Sequence, residues 1–317
     1  MQTFDTPILI LLFNRPEFVV EQVKILRKLN AKNIFLSADG PRIRNREDEE
    51  QCNQCRTLFF KEIDWDCKIE TNFFTKNQGC SLAPMNGIKW FFTYNKEGIV
   101  IEDDHLPSIS FFYFCQFLLD KYRSNNKIST INGCNFGYDN ILDSSYGFTK
   151  FMNPTGWASW QDRINEIDFS INRWEKTKFK KLHLYKILRT SFWDFDYNWL
   201  KYWESKLNDT IKKDNITWWD YQFMYNQLTK KQYSVFPHKN LVQNIGFNSK
   251  GTHTKDPNIL QSKLLAHEIS FPLNHNNNIK ILKTYEEKYI KEIWAHYKRP
   301  NWKYYIGLIL GKHKLKK

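Results

Sequence analysis

The chain has 317 residues, 41% of them apolar and 17% aromatic, enough for a substantial core and too much for a disordered chain. Its 47 Lys and Arg against 34 Asp and Glu give a formal charge of +13, so its partners are sought among anions: phosphorylated small molecules, anionic lipid or nucleic acid. No apolar run approaches the ~20 residues of a membrane span. The opening "MQTFDTPILILLFNRPEF" has an apolar run that follows an acid and lacks a small-residue cleavage site, so no secretory leader is expected. Six scattered cysteines are then expected to be reduced, in the cytoplasm. "CNQC" (Cys52, Cys55) has no second pair at zinc spacing and reads as two helix-side thiols.

In chain order, "PILILLF" is a continuous apolar run of the kind that forms a strand buried on both faces. A helix follows, with Pro16 in its first turn and Val19, Val23 and Leu26 at helical spacing. "NIFLSAD" and "KIETNFF" read as the second and third strands. "LAPMNGIKWFFTY" reads as a helix and "GIVIE" as the fourth strand. "SISFFYFCQFLLDKY" is another helix and "KISTING" a fifth strand. This alternation predicts an α/β fold with an open, mainly parallel sheet flanked by helices, whose ligands bind beyond the carboxyl ends of the strands. Asn14-Arg15, Asp39-Gly40 and Glu102-Asp103-Asp104 fall at such ends and should share one edge. From about Gly156 the texture becomes rich in Trp and Tyr, with basic helical segments between, and reads as an elaboration of the same domain.

"GIVIEDDHLPS" sets three acids directly behind a buried strand. Like charges that close repel one another, and desolvation sharpens the repulsion. A divalent cation relieves both costs, and carboxylates are hard oxygen ligands suited to Mg²⁺ or Mn²⁺ in company with phosphates. The competing description is a solvated loop whose acids cap the next helix.

The segments "ILLFNRPE", "FLSADGPR", "NQGC", "GIVIEDDHLPSISFFYFCQFLL", "GWASW", "WWDYQF" and "NIGFNSKGTHT" occur in an order that resembles nucleotide-sugar glycosyltransferases of the GT-A type. The chain looks like the bacterial members found in surface-polysaccharide clusters, and it is more distantly similar to N-acetylglucosaminyltransferase I. The resemblance covers roughly residues 6–254. It implies a GT-A domain over 1–255, with a nucleotide-binding half at 1–135 and an acceptor-side half at 136–255. Residues 256–317 would be a helical, basic extension. It further implies that Asp104 coordinates the cation, that Asp103 supports it, and that Glu102 lies towards the nucleoside. Arg15 and Asp39 would contact the diphosphate or base, His253 in "SKGTHT" would donate to the leaving diphosphate, and Asp220 in "WWD" would be the catalytic base of an inverting transfer.

Other readings of these residues stay open. Arg15 and His253 also read as surface side chains. Asp39 precedes Gly40 and Pro41, a turn composition. Thr217-x-x-Asp220 also fits a capping box. Trp157, Trp160, Trp218 and Trp219 read first as core, with one or two available to a sugar face. The expected reaction moves a sugar from a nucleotide-diphosphate donor, UDP-N-acetylglucosamine leading, to a hydroxyl of a glycan or lipid-linked glycan. The alternatives are a sugar nucleotidyltransferase, against which "LLFNRPEF" lacks any glycine, and a non-catalytic membrane-surface or glycan-binding module. The tail "WKYYIGLILGKHKLKK" suits peripheral contact with anionic membrane at the inner face. No nucleic-acid-binding signature is present, so no nucleic-acid partner is expected.

Overall fold

The computed structural model describes residues 3–139, 141–189, 197–212, 218–246, 260–275 and 278–293. The first half alternates strands and helices: β1 (Ile8–Leu12), α1 (Pro16–Leu29), β2 (Asn33–Ala38), α2 (Arg46–Glu62), β3 (Lys68–Phe73), α3 (Gly79–Tyr94) and β4 (Glu97–Glu102). A short β5 (His105–Pro107) leads into α4 (Ile109–Tyr122), β6 (Ile128–Asn132), β7 (Tyr146–Thr149) and β8 (Trp157–Trp160). Helices α5 (Gln161–Asn165), α6 (Asn172–Glu175), α7 (Lys180–Leu188), α8 (Tyr197–Lys212) and α9 (Asp220–Thr229) follow. The chain then forms β9 (Tyr233–Pro237), β10 (Val242–Asn244), a 3₁₀ turn (Leu260–Lys263) and α10 (Lys283–Ile293).

Eight strands form one mainly parallel sheet in the order β3-β2-β1-β4-β8-β6-β9-β7, and β5 pairs with β10 in a separate antiparallel ribbon. β1 lies between β2 and β4 in parallel register, with Leu12 beside Ala38 and Leu11 beside Glu102. Three strand ends therefore reach one edge together, and the residues after them are Phe13–Arg15, Asp39 and Asp103–Asp104. The expected shared edge is present.

β8 runs antiparallel to both β4 and β6 and occupies the centre of the sheet. "WASW" suits that place because its side chains alternate between faces. Ala158 and Trp160 join the apolar cluster on one face, and Trp157 joins the cluster on the other. β1 divides in the same way: Ile8, Ile10 and Leu12 face α1, α2 and α4, whereas Leu9 and Leu11 face α3 and the aromatic-rich helices. That second cluster includes Trp157, Trp174, Trp203 and Trp219, so much of the late tryptophan is core.

Chain beyond residue 255 contributes to both clusters, with Ile269 and Leu273 in the first and Tyr285 and Tyr289 in the second. Glu268 accepts the backbone N–H groups of Ile109 and Ser110, which are orphan donors at the start of α4. Glu286, buried on α10, accepts from Lys150 N and Thr149 Oγ1. Among the described residues no helix is long and apolar enough to cross a membrane. All six cysteines are free, with Cys52 and Cys55 buried on α2.

Candidate functional site

The turn between β4 and β5 is held from three sides. Gln22, buried on α1, donates to the carbonyls of Glu102 (2.6 Å) and His105 (3.3 Å). Asp103 accepts from Phe13 N through Oδ2 and from Arg15 Nη1 through Oδ1. The same Arg15 nitrogen donates to Asp104 Oδ2, both guanidinium contacts being 2.7 Å. Among the described residues one cation, Arg15, therefore faces three adjacent carboxylates. Burial and mutual repulsion push the Glu102 carboxyl well above the carboxylate range, and burial pushes Asp103 up to about 6 despite the pull of Arg15.

Carboxylate oxygens of Glu102 and Asp104 and a ring nitrogen of His105 lie within 4.8 Å of one another. His105 nevertheless makes a poor ligand. Its Nδ1 accepts from Glu102 N at 3.0 Å, so the neutral ring carries its proton on Nε2, which faces Asp104 Oδ1 at 3.5 Å. Moving that proton to free Nε2 for a metal would set two N–H groups against each other. Burial also lowers the His105 pKa and keeps the ring neutral. The ring thus faces Asp104, and the donors that could hold a cation are the Glu102 and Asp104 carboxylates.

Asp104 Oδ1 is buried and makes no hydrogen bond among the described residues, His105 Nε2 standing off at 3.5 Å. Buried carboxylate oxygens are almost always engaged. An orphan oxygen within a set of hard donors whose three carboxylates share the one charge of Arg15 among the described residues fits a divalent cation. The β10 strand ends against this group: Ile245 N donates to the Asp104 carbonyl, and a Cβ at Gly246 would stand 2.0 Å from Asp104 Oδ2.

Asp220 reaches the same place from a distant part of the sequence. It opens α9 as its first residue, after an N-cap at Trp219 that makes no side-chain cap bond. The capping-box register, which needs the acid three residues into the helix, is therefore not formed at Asp220. The chain entering α9 is pinned where Ser81 Oγ donates to the Trp218 carbonyl at 2.6 Å, and Trp219 packs on Trp157. Burial raises the Asp220 carboxyl to about 6, against the pull of the N–H groups of residues 220 and 221 and of the Lys206 ammonium. Its charge is near enough to help raise Glu102. Lys206, on α8, stands 3.7 Å from the centre of the Trp218 ring and also faces Tyr221 and Tyr202.

Asp39 lies at the same edge but is fully engaged. Its carboxylate accepts from the N–H groups of Gly40, Gln78 and Gly79 and from Asn77 Nδ2, at 2.8–3.1 Å. Those four donors fill the capacity of a carboxylate. The turn role holds here: Asp39 fixes the entry to α3, and Gly40 is pressed so closely on the Lys76 backbone that a Cβ would lie 2.5 Å from it.

The structure thus gathers Arg15, Glu102, Asp103, Asp104 and Asp220, sets Asp39 to structural work, and adds Gln22, His105, Lys206 and Gly246. His105 was adjacent to the acids and announced only by that adjacency; Lys206 carries no sequence signal. His253 lies outside the described residues, as does the tail beyond residue 293. Of the four tryptophans, Trp157, Trp160 and Trp219 are buried and Trp218 is partly exposed.

No family model matches the chain, and no curated protein does. Among solved structures it is similar to HddC from Yersinia pseudotuberculosis in complex with GMP-PN, at 13% identity and TM-score 0.33, over 54% of this chain and 87% of that one. A UDP-glucose pyrophosphorylase in complex with UDP-glucose matches at 8% identity and TM-score 0.34, over 73% of this chain and 90% of that one. Mouse xyloside xylosyltransferase 1 in its apo form matches at 10% identity and TM-score 0.33, over 88% of this chain and 100% of that one. Likenesses this remote carry no weight for activity, which rests on the residues themselves.

Proposed function

We propose that this chain is a metal-dependent, inverting glycosyltransferase of GT-A type that moves a sugar from a nucleotide-diphosphate donor to a hydroxyl of a surface glycan. The observation that carries this reading is the meeting of Asp220 with the Glu102–Asp104 turn. A carboxylate raised to about 6 by burial stands beside a cation-deficient acidic cluster at the ligand edge of an α/β sheet. Glu102 and Asp104 would hold Mn²⁺ or Mg²⁺, with Asp103 and Arg15 fixing the turn and His105 fixing Asp104. When bound, the cation neutralises charge on the diphosphate as it leaves.

The role of Asp220 follows from the bonds exchanged. The acceptor oxygen bonds to the anomeric carbon while the bond from that carbon to the diphosphate oxygen breaks. The hydroxyl proton passes to the Asp220 carboxylate, and the nucleoside diphosphate leaves with the electron pair. Attack on the face opposite the leaving group inverts the centre. By resemblance the donor is a UDP-sugar, with UDP-N-acetylglucosamine leading, the acceptor is lipid-linked or polymeric, and the enzyme works on the cytoplasmic side. Arg15 would release part of its hold on the acids to meet the diphosphate, and His253 would close on the donor.

A sugar nucleotidyltransferase is the second reading, because the same sheet edge and cation suit it. Its nucleophile is a sugar phosphate already ionised at neutral pH, which needs no base. Asp220, held at a base's pKa, therefore favours the transferase. Calorimetric titration of UDP, GDP, CMP and UDP-sugars, with and without Mn²⁺, tests the reading on wild type and Asp104→Asn. Mn²⁺-dependent binding of one nucleotide, lost in the variant, is expected. Absence of nucleotide binding in every condition would sink it.

A further inference from the structure

The segment 172–189, spanning α6 and α7, carries seven Lys and Arg and a single acid, Glu175. Within that charge stand two of the exposed large apolar side chains among the described residues, Phe179 at 76% and Leu182 at 51%. Single exposed apolar residues are ordinary. These two are not independent: Phe179, Leu182, Lys186 and Arg189 recur at helical spacing along one side of α7, and Lys178 flanks them. Leu184 and Leu188, on the opposite side, are buried. The inner face is thus already satisfied, and the outer face presents apolar groups inside a ring of exposed lysine and arginine.

We propose that this outer face of α6–α7 docks the protein on an anionic lipid surface. The occupant follows from the chemistry. Long basic side chains around projecting Phe and Leu match a layer that is anionic at its surface and apolar just beneath. A polyanion without an apolar layer would leave Phe179 and Leu182 in water. The placement serves the site as well. α7 packs on α8 and α9, the helices that carry Lys206 and Asp220, and His183 Nε2 meets Tyr225 Oη at 3.2 Å across that contact. A membrane at this face would lie next to the acceptor side of the site. The docking itself is independent of the transferase reading.

The test uses the full chain and sedimentation with vesicles of phosphatidylcholine alone or mixed equally with phosphatidylglycerol. Wild type, Phe179→Ser/Leu182→Ser and Lys178→Gln/Lys186→Gln are compared, all four substituted side chains being exposed so that melting curves should coincide. Wild type is expected to bind the phosphatidylglycerol vesicles, more weakly at 0.5 M than at 0.1 M salt, and not the neutral ones. Each double variant is expected to bind at least tenfold more weakly. Binding of both variants at the wild-type level would assign any lipid contact to another segment, such as the lysine-rich tail, and overturn the proposal. So would loss in the lysine variant alone, which signals counter-ion attraction without insertion. Retention on heparin or duplex RNA without vesicle binding would replace lipid by a polyanion and overturn it equally.

Discussion

Gly246 lies so close to Asp104 that any side chain at 246 would occupy the space of the Asp104 carboxylate, 2.0 Å from Oδ2. The glycine is required by this approach and not by an unusual backbone angle. Gly246→Ala is expected to fold, because the clash is with a movable side chain, but to turn the carboxylate out of the set shared with Glu102. Mn²⁺ raises the melting temperature of any protein that binds it only when folded. That rise should be clear in wild type and largely lost in Gly246→Ala. An undiminished rise in the variant would show that Asp104 is not a ligand.

Among the described residues Arg15 is the one guanidinium bonded to the acidic turn, through Asp103 and Asp104. Removing one partner of a buried ion pair leaves charge uncompensated and costs about 3 kcal/mol. Arg15→Met should therefore lower stability by that order at pH 7.5, read from urea unfolding. The cost should shrink towards pH 5. Without Arg15 the Asp103 carboxyl, already raised, rises further, so the folded variant binds more protons than its unfolded chain. Stability then falls as pH climbs through that raised value. A cost equal at both pH values would mean that Arg15 contributes packing and not charge.

The sheet's first half was legible because β1, β2 and β4 are buried on both faces and read as unbroken apolar runs. β8 was not: four residues alternating Trp with Ala and Ser look like loop aromatics until their two faces are assigned to two cores. The acids at Glu102–Asp104 were legible as a cluster in want of a cation. Whether a nearby carboxylate has free lone pairs was not. Asp39 and Asp220 both look like site acids in sequence, yet four converging N–H groups occupy Asp39 while burial raises the Asp220 carboxyl to about 6. Three of the four donors to Asp39 come from residues 38 to 40 positions away in the chain, which no local pattern encodes. Lys206 was invisible for the same reason.

His105 offers a sharper test of the site than its neighbours. As a positioning residue it accepts from Glu102 N and aims Nε2 at Asp104. His105→Phe leaves a buried N–H without an acceptor, at about 1–3 kcal/mol of stability. It should weaken Mn²⁺ binding about 10–100-fold, the usual effect of losing an orienting partner. His105→Asn, which can still accept that N–H, should recover most of the stability. A complete loss of Mn²⁺ binding in both variants, with stability intact, would make His105 a ligand instead.

If the chain is the proposed glycosyltransferase, Asp220 should set the acid limb of its rate profile. The base must be ionised, so protons inhibit: below about 6, kcat/KM should fall tenfold per pH unit, and above it should level off. Asp220→Asn should keep donor binding and lower transfer about 10²–10⁴-fold. Lys206 supplies the discriminating variant. Its ammonium favours the ionised carboxylate, so Lys206→Met should move the limb to higher pH, while Lys206→Arg, which keeps the charge, should leave it near the wild-type position. A limb near the ordinary carboxylate range that ignores both substitutions would remove Asp220 from the role of base, whatever Asp220→Asn does to the rate.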